Sequence, residues 1–168
     1  MRMQPVRFGA EQFNVARVIE TDVSSHEGDI MFEIELRLRG VNQNLFAGFV
    51  QSHWFSGGHA EAVPGIGMSI DPASGEVKDL LNEQGIVGYF DASPFECGET
   101  IFFCLSVEKI GNVFLPKLTV GEETLLYPAL HLEAGSMMSF VVGTTSKGRD
   151  ATFENPHLQL TRSPRVSA

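Results

Sequence analysis

Glu33 and Glu35 are the residues whose type and spacing come nearest to a reactive pair in this sequence. In Phe32-Glu33-Ile34-Glu35-Leu36 an extended chain puts both carboxylates on one face, with Cβ atoms about 7 Å apart. That separation suits the two carboxyl groups of glycoside hydrolysis. Arg37 follows on the same face, so the plainer reading is a solvated sheet surface with charges paired along it. The other constellation is His53-Trp54-Phe55-Ser56-Gly57-Gly58-His59, which holds the only tryptophan. Trp54 and Phe55 on a glycine-hinged loop would stack on a sugar ring or anchor a peptide; the competing reading has them plug one end of the core. His53 and His59 have no third ligand placed by spacing, so no metal is expected.

Other candidates dissolve into ordinary chemistry. Asp71-Pro72-Ala73-Ser74-Gly75-Glu76 offers oxygens for calcium, yet it is equally a turn. The chain has no G-x-S-x-G, Walker loop or G-x-G-x-x-G, and no cofactor is expected. Cys97 and Cys104 stand seven apart, an odd offset that sends them to opposite faces of a continuous strand. Reduced thiols are expected, with Cys104 packed as a small hydrophobe.

The elements that position these residues read as strands. Met31 to Arg39 alternates strictly: Phe32, Ile34, Leu36 and Leu38 against Glu33, Glu35, Arg37 and Arg39. That is a strand buried on one side. Leu45 to His53 follows after Gly40 to Asn44, so the two segments are expected to pair as a hairpin. Further strands are expected over 13–19, 65–70, 86–90, 100–107, 113–120, 125–132 and 137–142, and more weakly over 151–153 and 158–161. One segment, Ser74 to Gln84, spaces Val77, Leu80 and Leu81 as a helix would, with Gly85 as its stop. The expectation is an all-β, antiparallel two-sheet sandwich with at most one short helix.

Composition bounds the rest. The 168 residues suit one domain, expected over 1–162 with 163–168 a frayed tail. Hydrophobic residues make up 43%, including 13 Phe, which is ample core material. The 12 basic against 21 acidic side chains give a net charge of −9, which repels phosphate backbones and anionic membranes. No apolar run approaches the ~20 residues of a membrane helix, and the N-terminus shows no apolar stretch of signal-peptide length, with Arg7, Glu11 and Arg17 interrupting it, so a cytoplasmic location is expected.

From Gly65 onward the order of elements resembles the concanavalin-like jelly roll, most closely its SPRY branch. The matching pieces are GIGMSI (65–70), GIVGYF (85–90), CGETIFFCLSV (97–107), VFLPKLTV (113–120), LLYPALHLEAG (125–135) and MSFVVG (138–143). Leu126-Tyr127-Pro128-Ala129 is the most specific of them. The Phe-x-x-Asn-Gly turn of that branch is missing, because Gly111-Asn112 reverses the pair. The resemblance implies two curved antiparallel sheets and a ligand surface on rim loops, without catalytic machinery. The function expected first is therefore a non-enzymatic module that binds a peptide or protein through His53, Trp54, Phe55 and His59. The alternatives are a carbohydrate-binding or carbohydrate-active protein using Glu33 and Glu35, and a structural, self-assembling subunit.

Overall fold

Side-chain alternation decides this architecture strand by strand. The computed structural model describes residues 4–8, 11–22, 28–40, 42–52, 65–81, 85–96, 98–131, 137–145 and 151–162. They form β1 (Gln4–Phe8), β2 (Glu11–Asp22), β3 (Gly28–Leu38), β4 (Leu45–Gln51), β5 (Gly65–Ile70), β6 (Glu76–Asp79), β7 (Ile86–Tyr89), α1 (Ser93–Glu96), β8 (Thr100–Ile110), β9 (Val113–Val120), β10 (Glu123–Leu126), β11 (Leu130–His131), β12 (Met137–Thr144) and β13 (Ala151–Arg162). One sheet runs β1-β2-β12-β4-β5-β6-β7, the other β10-β9-β8-β3-β13 with β11 also on β9. Every pairing is antiparallel. Among the described residues no helix is long and apolar enough to cross a membrane.

The main core lies between the sheets. Phe32, Ile34, Leu36 and Leu38 of β3 enter it, as their alternation requires, and meet Phe49 of β4 and Phe140 of β12. Phe140 stacks on Phe32 at 4.9 Å between ring centres and tilts against Phe49 at 4.7 Å. A second apolar cluster lies on the far face of the seven-stranded sheet: Val6, Phe13, Val15, Phe46, Val50 and Val141, with Leu80 and Leu81 packed against it. β4 and β12, in the middle of the seven-stranded sheet, are thus apolar on both faces. The outer face of the six-stranded sheet, by contrast, carries Glu33, Glu35 and Arg37 along β3.

Three expectations from the sequence are corrected. First, β3 and β4 are not a hairpin. They belong to opposite sheets, β3 to the six-stranded and β4 to the seven-stranded one. Gln43 and Asn44, just before β4, are tied to the end of β12: Thr144 Oγ1 donates to Gln43 Oε1 at 2.8 Å, and Thr145 N to Asn44 O at 3.0 Å. β4 is buried on both faces whereas β3 is wet on one, so the two strands need different surroundings.

Second, residues 74–81 form no helix. Asp71 closes a turn by accepting from Ala73 N and Ser74 Oγ, and Gly75 has a φ of +78°. The chain then enters β6, with Val77 inward, while Leu80 and Leu81 fold over the outer cluster. The helical spacing came from three side chains serving two different cores. The helix is α1 instead, started by Asp91, whose carboxylate accepts from Ser93 N and Ser93 Oγ. Those two bonds hold the Asp91 carboxyl below its ordinary range.

Third, 125–132 is not one strand. Pro116 of β9 turns its carbonyl toward this segment, accepting from Tyr127 N at 3.0 Å, and on that side proline has no N–H to give. The partner chain therefore breaks between β10 and β11. Tyr127 turns inward there and its hydroxyl donates to the buried Asp79 at 2.6 Å, clamping one sheet to the other.

Candidate functional site

Glu33 and Glu35 do share a face, the outer surface of β3, and the register fixes their neighbours. Glu35 lies between Phe102 of β8 and Glu154 of β13. Glu33 lies between Cys104 and His157, and Arg37 between Thr100 and Thr152. A shallow, open depression here is lined by Glu35, Arg37, Thr100, Thr152 and Glu154, with Leu36 also at its wall.

The side chains around it are partly fixed. Arg37 Nη2 donates to Thr100 Oγ1 at 3.1 Å. Asn155 Nδ2 donates to Glu35 Oε2 at 2.8 Å. Glu35 and Glu154 are directly opposite, and like charges so placed repel across a strand pair; the Asn155 donor gives Glu35 a compensating partner. Phe102 is 56% exposed on this same face. A bare aromatic ring beside carboxylates, a guanidinium and two threonine hydroxyls can stack on an apolar ring face and hydrogen-bond its substituents. Among the described residues no group of three or more His, Cys, Asp or Glu is disposed to hold a metal ion.

Cys104 corrects the expectation of a core thiol. It is half-buried on the outer face, across from Glu33 and Thr119, and forms no disulfide. Desolvation first, then the Glu33 carboxylate, push its thiol pKa up, with Lys117 pulling the other way. The thiolate is the reactive form, so iodoacetamide at pH 8 should alkylate Cys104 more slowly than a free cysteine peptide. Glu33→Gln should speed the reaction, followed by mass on the peptide that carries Cys104. An unchanged rate would mean that Glu33 does not act on this thiol.

His53, Trp54, Phe55 and His59 lie outside the described residues. Sequence reasoning missed Phe102, although Phe102-Phe103 in an alternating strand must send one ring outward. It also missed Asn155, because 151–153 and 158–161 read as separate strands. They are one strand, β13, interrupted by a bulge between Glu154 and His157.

No family model and no curated protein sequence matches this chain. Solved structures do. Carbohydrate binding module CBM66 from Bacillus subtilis is 12% identical, over 95% of this chain and 96% of that one, with a TM-score of 0.47. A lectin from Bauhinia forficata, in complex with GalNAc, is 9% identical over 91% of this chain and 77% of the lectin, with a TM-score of 0.51. The likeness to the lectin is one of fold, the two-sheet concanavalin-type sandwich.

Proposed function

We propose that this chain is a carbohydrate-binding sandwich that receives a sugar on the outer face of β3, β8 and β13, without catalysis. The observation that carries the reading is the exposed Phe102 ring in register with Glu35, one strand from the Glu154 carboxylate and beside Arg37 and Thr100. A pyranose offers a C–H face for the ring and hydroxyls for the flanking groups. The lectin's sandwich lends the reading an architecture that presents sugars, while the chemistry comes from the face itself. Peptide recognition has less to stand on. Strand addition at the β13 edge is opposed by the bulge and Pro156. Membership of the SPRY branch remains a proposal resting on Leu126-Tyr127-Pro128-Ala129.

The test is a printed panel of neutral and acidic oligosaccharides, including GalNAc, probed with wild type and with Phe102→Ala. Wild type should be retained on at least one neutral glycan, and Phe102→Ala should weaken that capture about tenfold or more. Its melting temperature should barely move, because the ring is already in water. Capture indifferent to Phe102, or no capture by any glycan, contradicts the reading.

A further inference from the structure

Asn155 is where this face departs most from regular strand. Its φ is +54°, in the left-handed region that side chains other than glycine seldom occupy. Pro156 follows, and the residue before a proline is pushed toward extended conformations. The conformation is therefore disfavoured twice. Between the pairs Glu35↔Glu154 and Glu33↔His157, β13 advances three residues while β3 advances two. Glu154 through His157 are all exposed along the bulge. Its visible result is the bond from Asn155 Nδ2 to Glu35 Oε2.

We propose that the Asn155–Pro156 bulge is a positioning device that presets the Glu35 carboxylate for a neutral polyol, an inference that rests on the carbohydrate reading above. With Oε2 held by Asn155, Oε1 is left to accept from a ligand hydroxyl beside the Phe102 ring. The same face carries Glu33, Glu35 and Glu154 against Arg37 and Lys117, a net negative balance, so a ligand that brings hydroxyl donors fits it and an anionic glycan does not. Strained backbone conformations persist where the surroundings over-determine them, often at ligand sites. Edge protection accounts for the bulge and for Pro156, but it makes no use of the Asn155 side chain.

Two variants separate positioning from structure. Asn155→Gly keeps the left-handed conformation at no steric cost and removes the donor. Asn155→Asp keeps the shape and the tolerance for that conformation, and its carboxylate cannot donate. Each is titrated calorimetrically with galactose, GalNAc, cellohexaose, xylohexaose and mannohexaose, and with tetragalacturonate as the anionic probe. Asn155→Gly should melt within about 2 °C of wild type or above it. Both variants should bind the neutral probe that wild type binds with a Kd raised about five- to tenfold. Wild type should ignore tetragalacturonate. If either folded variant binds that neutral probe as tightly as wild type, the positioning role is wrong and the carbohydrate reading stands. Preference for tetragalacturonate overturns the ligand class. Binding to none of the probes overturns this inference together with the reading beneath it.

Discussion

Phe140→Ala should destabilise the protein by about 3–5 kcal/mol. Phe140 is fully buried at the centre of the sandwich, stacked on Phe32 and tilted against Phe49, so it bonds the two sheets through aromatic contacts. Truncation leaves a cavity among residues of β3, β4 and β12 that stiff, hydrogen-bonded sheets cannot close. Denaturant unfolding with an unchanged slope and a lower midpoint is the expected record. Loss of less than about 1 kcal/mol would mean that the two sheets meet elsewhere. The comparison substitution is Phe102→Ala, whose exposed ring makes it nearly neutral for stability.

Gly75→Ala should be as damaging, upwards of about 4 kcal/mol. Gly75 has a φ of +78°, and its amide donates to Asp71 O while its carbonyl accepts from Phe90 N, each at 2.7 Å. An added Cβ would fall inside the van der Waals shell of the Phe90 carbonyl, which is backbone and cannot swing aside. Gly85 supplies the control, with a φ of +69° and nothing within 4 Å of an added Cβ. Gly85→Ala should cost only the backbone conformation, about 1–2 kcal/mol. The difference between the two, read from paired denaturant curves, isolates the clash. Equal costs would show that the chain between β5 and β7 can shift to admit a methyl group.

Much of the fold was legible because burial writes itself into alternation. The charges and apolar residues of Met31 to Arg39 fall on opposite faces as their spacing requires, and β5 and β9 begin and end where the sequence expects. Pairing was less legible, since turn residues between two strands do not say whether the strands join one sheet or two. The distinguishing sign was present: Leu45-Phe46-Ala47-Gly48-Phe49-Val50 is apolar on both alternate sets, so it needs cover on two sides. The false helix over 74–84 arose because side chains destined for two cores can imitate one helical stripe.

The proposed site was half legible. Glu33 and Glu35 were visible as a pair on one strand, and the outward ring of Phe102 follows from two adjacent phenylalanines in an alternating run. Glu154 and Asn155 were not visible. They reach Glu35 only through the register of β13 on β3 and through a bulge whose position depends on that partner. Local propensity carries no record of which strand will lie alongside.

The central claim is that a sugar sits on the outer face of the six-stranded sheet, and amide chemical shifts read this directly. Nitrogen-15-labelled protein is titrated with the neutral oligosaccharide retained on the printed panel, and the shifted amides are assigned. A sugar on this face should shift a contiguous patch over Glu33 to Arg37, Thr100 to Cys104 and Thr152 to Asn155, with Phe102→Ala abolishing most of it. Shifts confined to His53 through His59, or to the strands of the seven-stranded sheet, would contradict it and move the site to the rim loop or the opposite face.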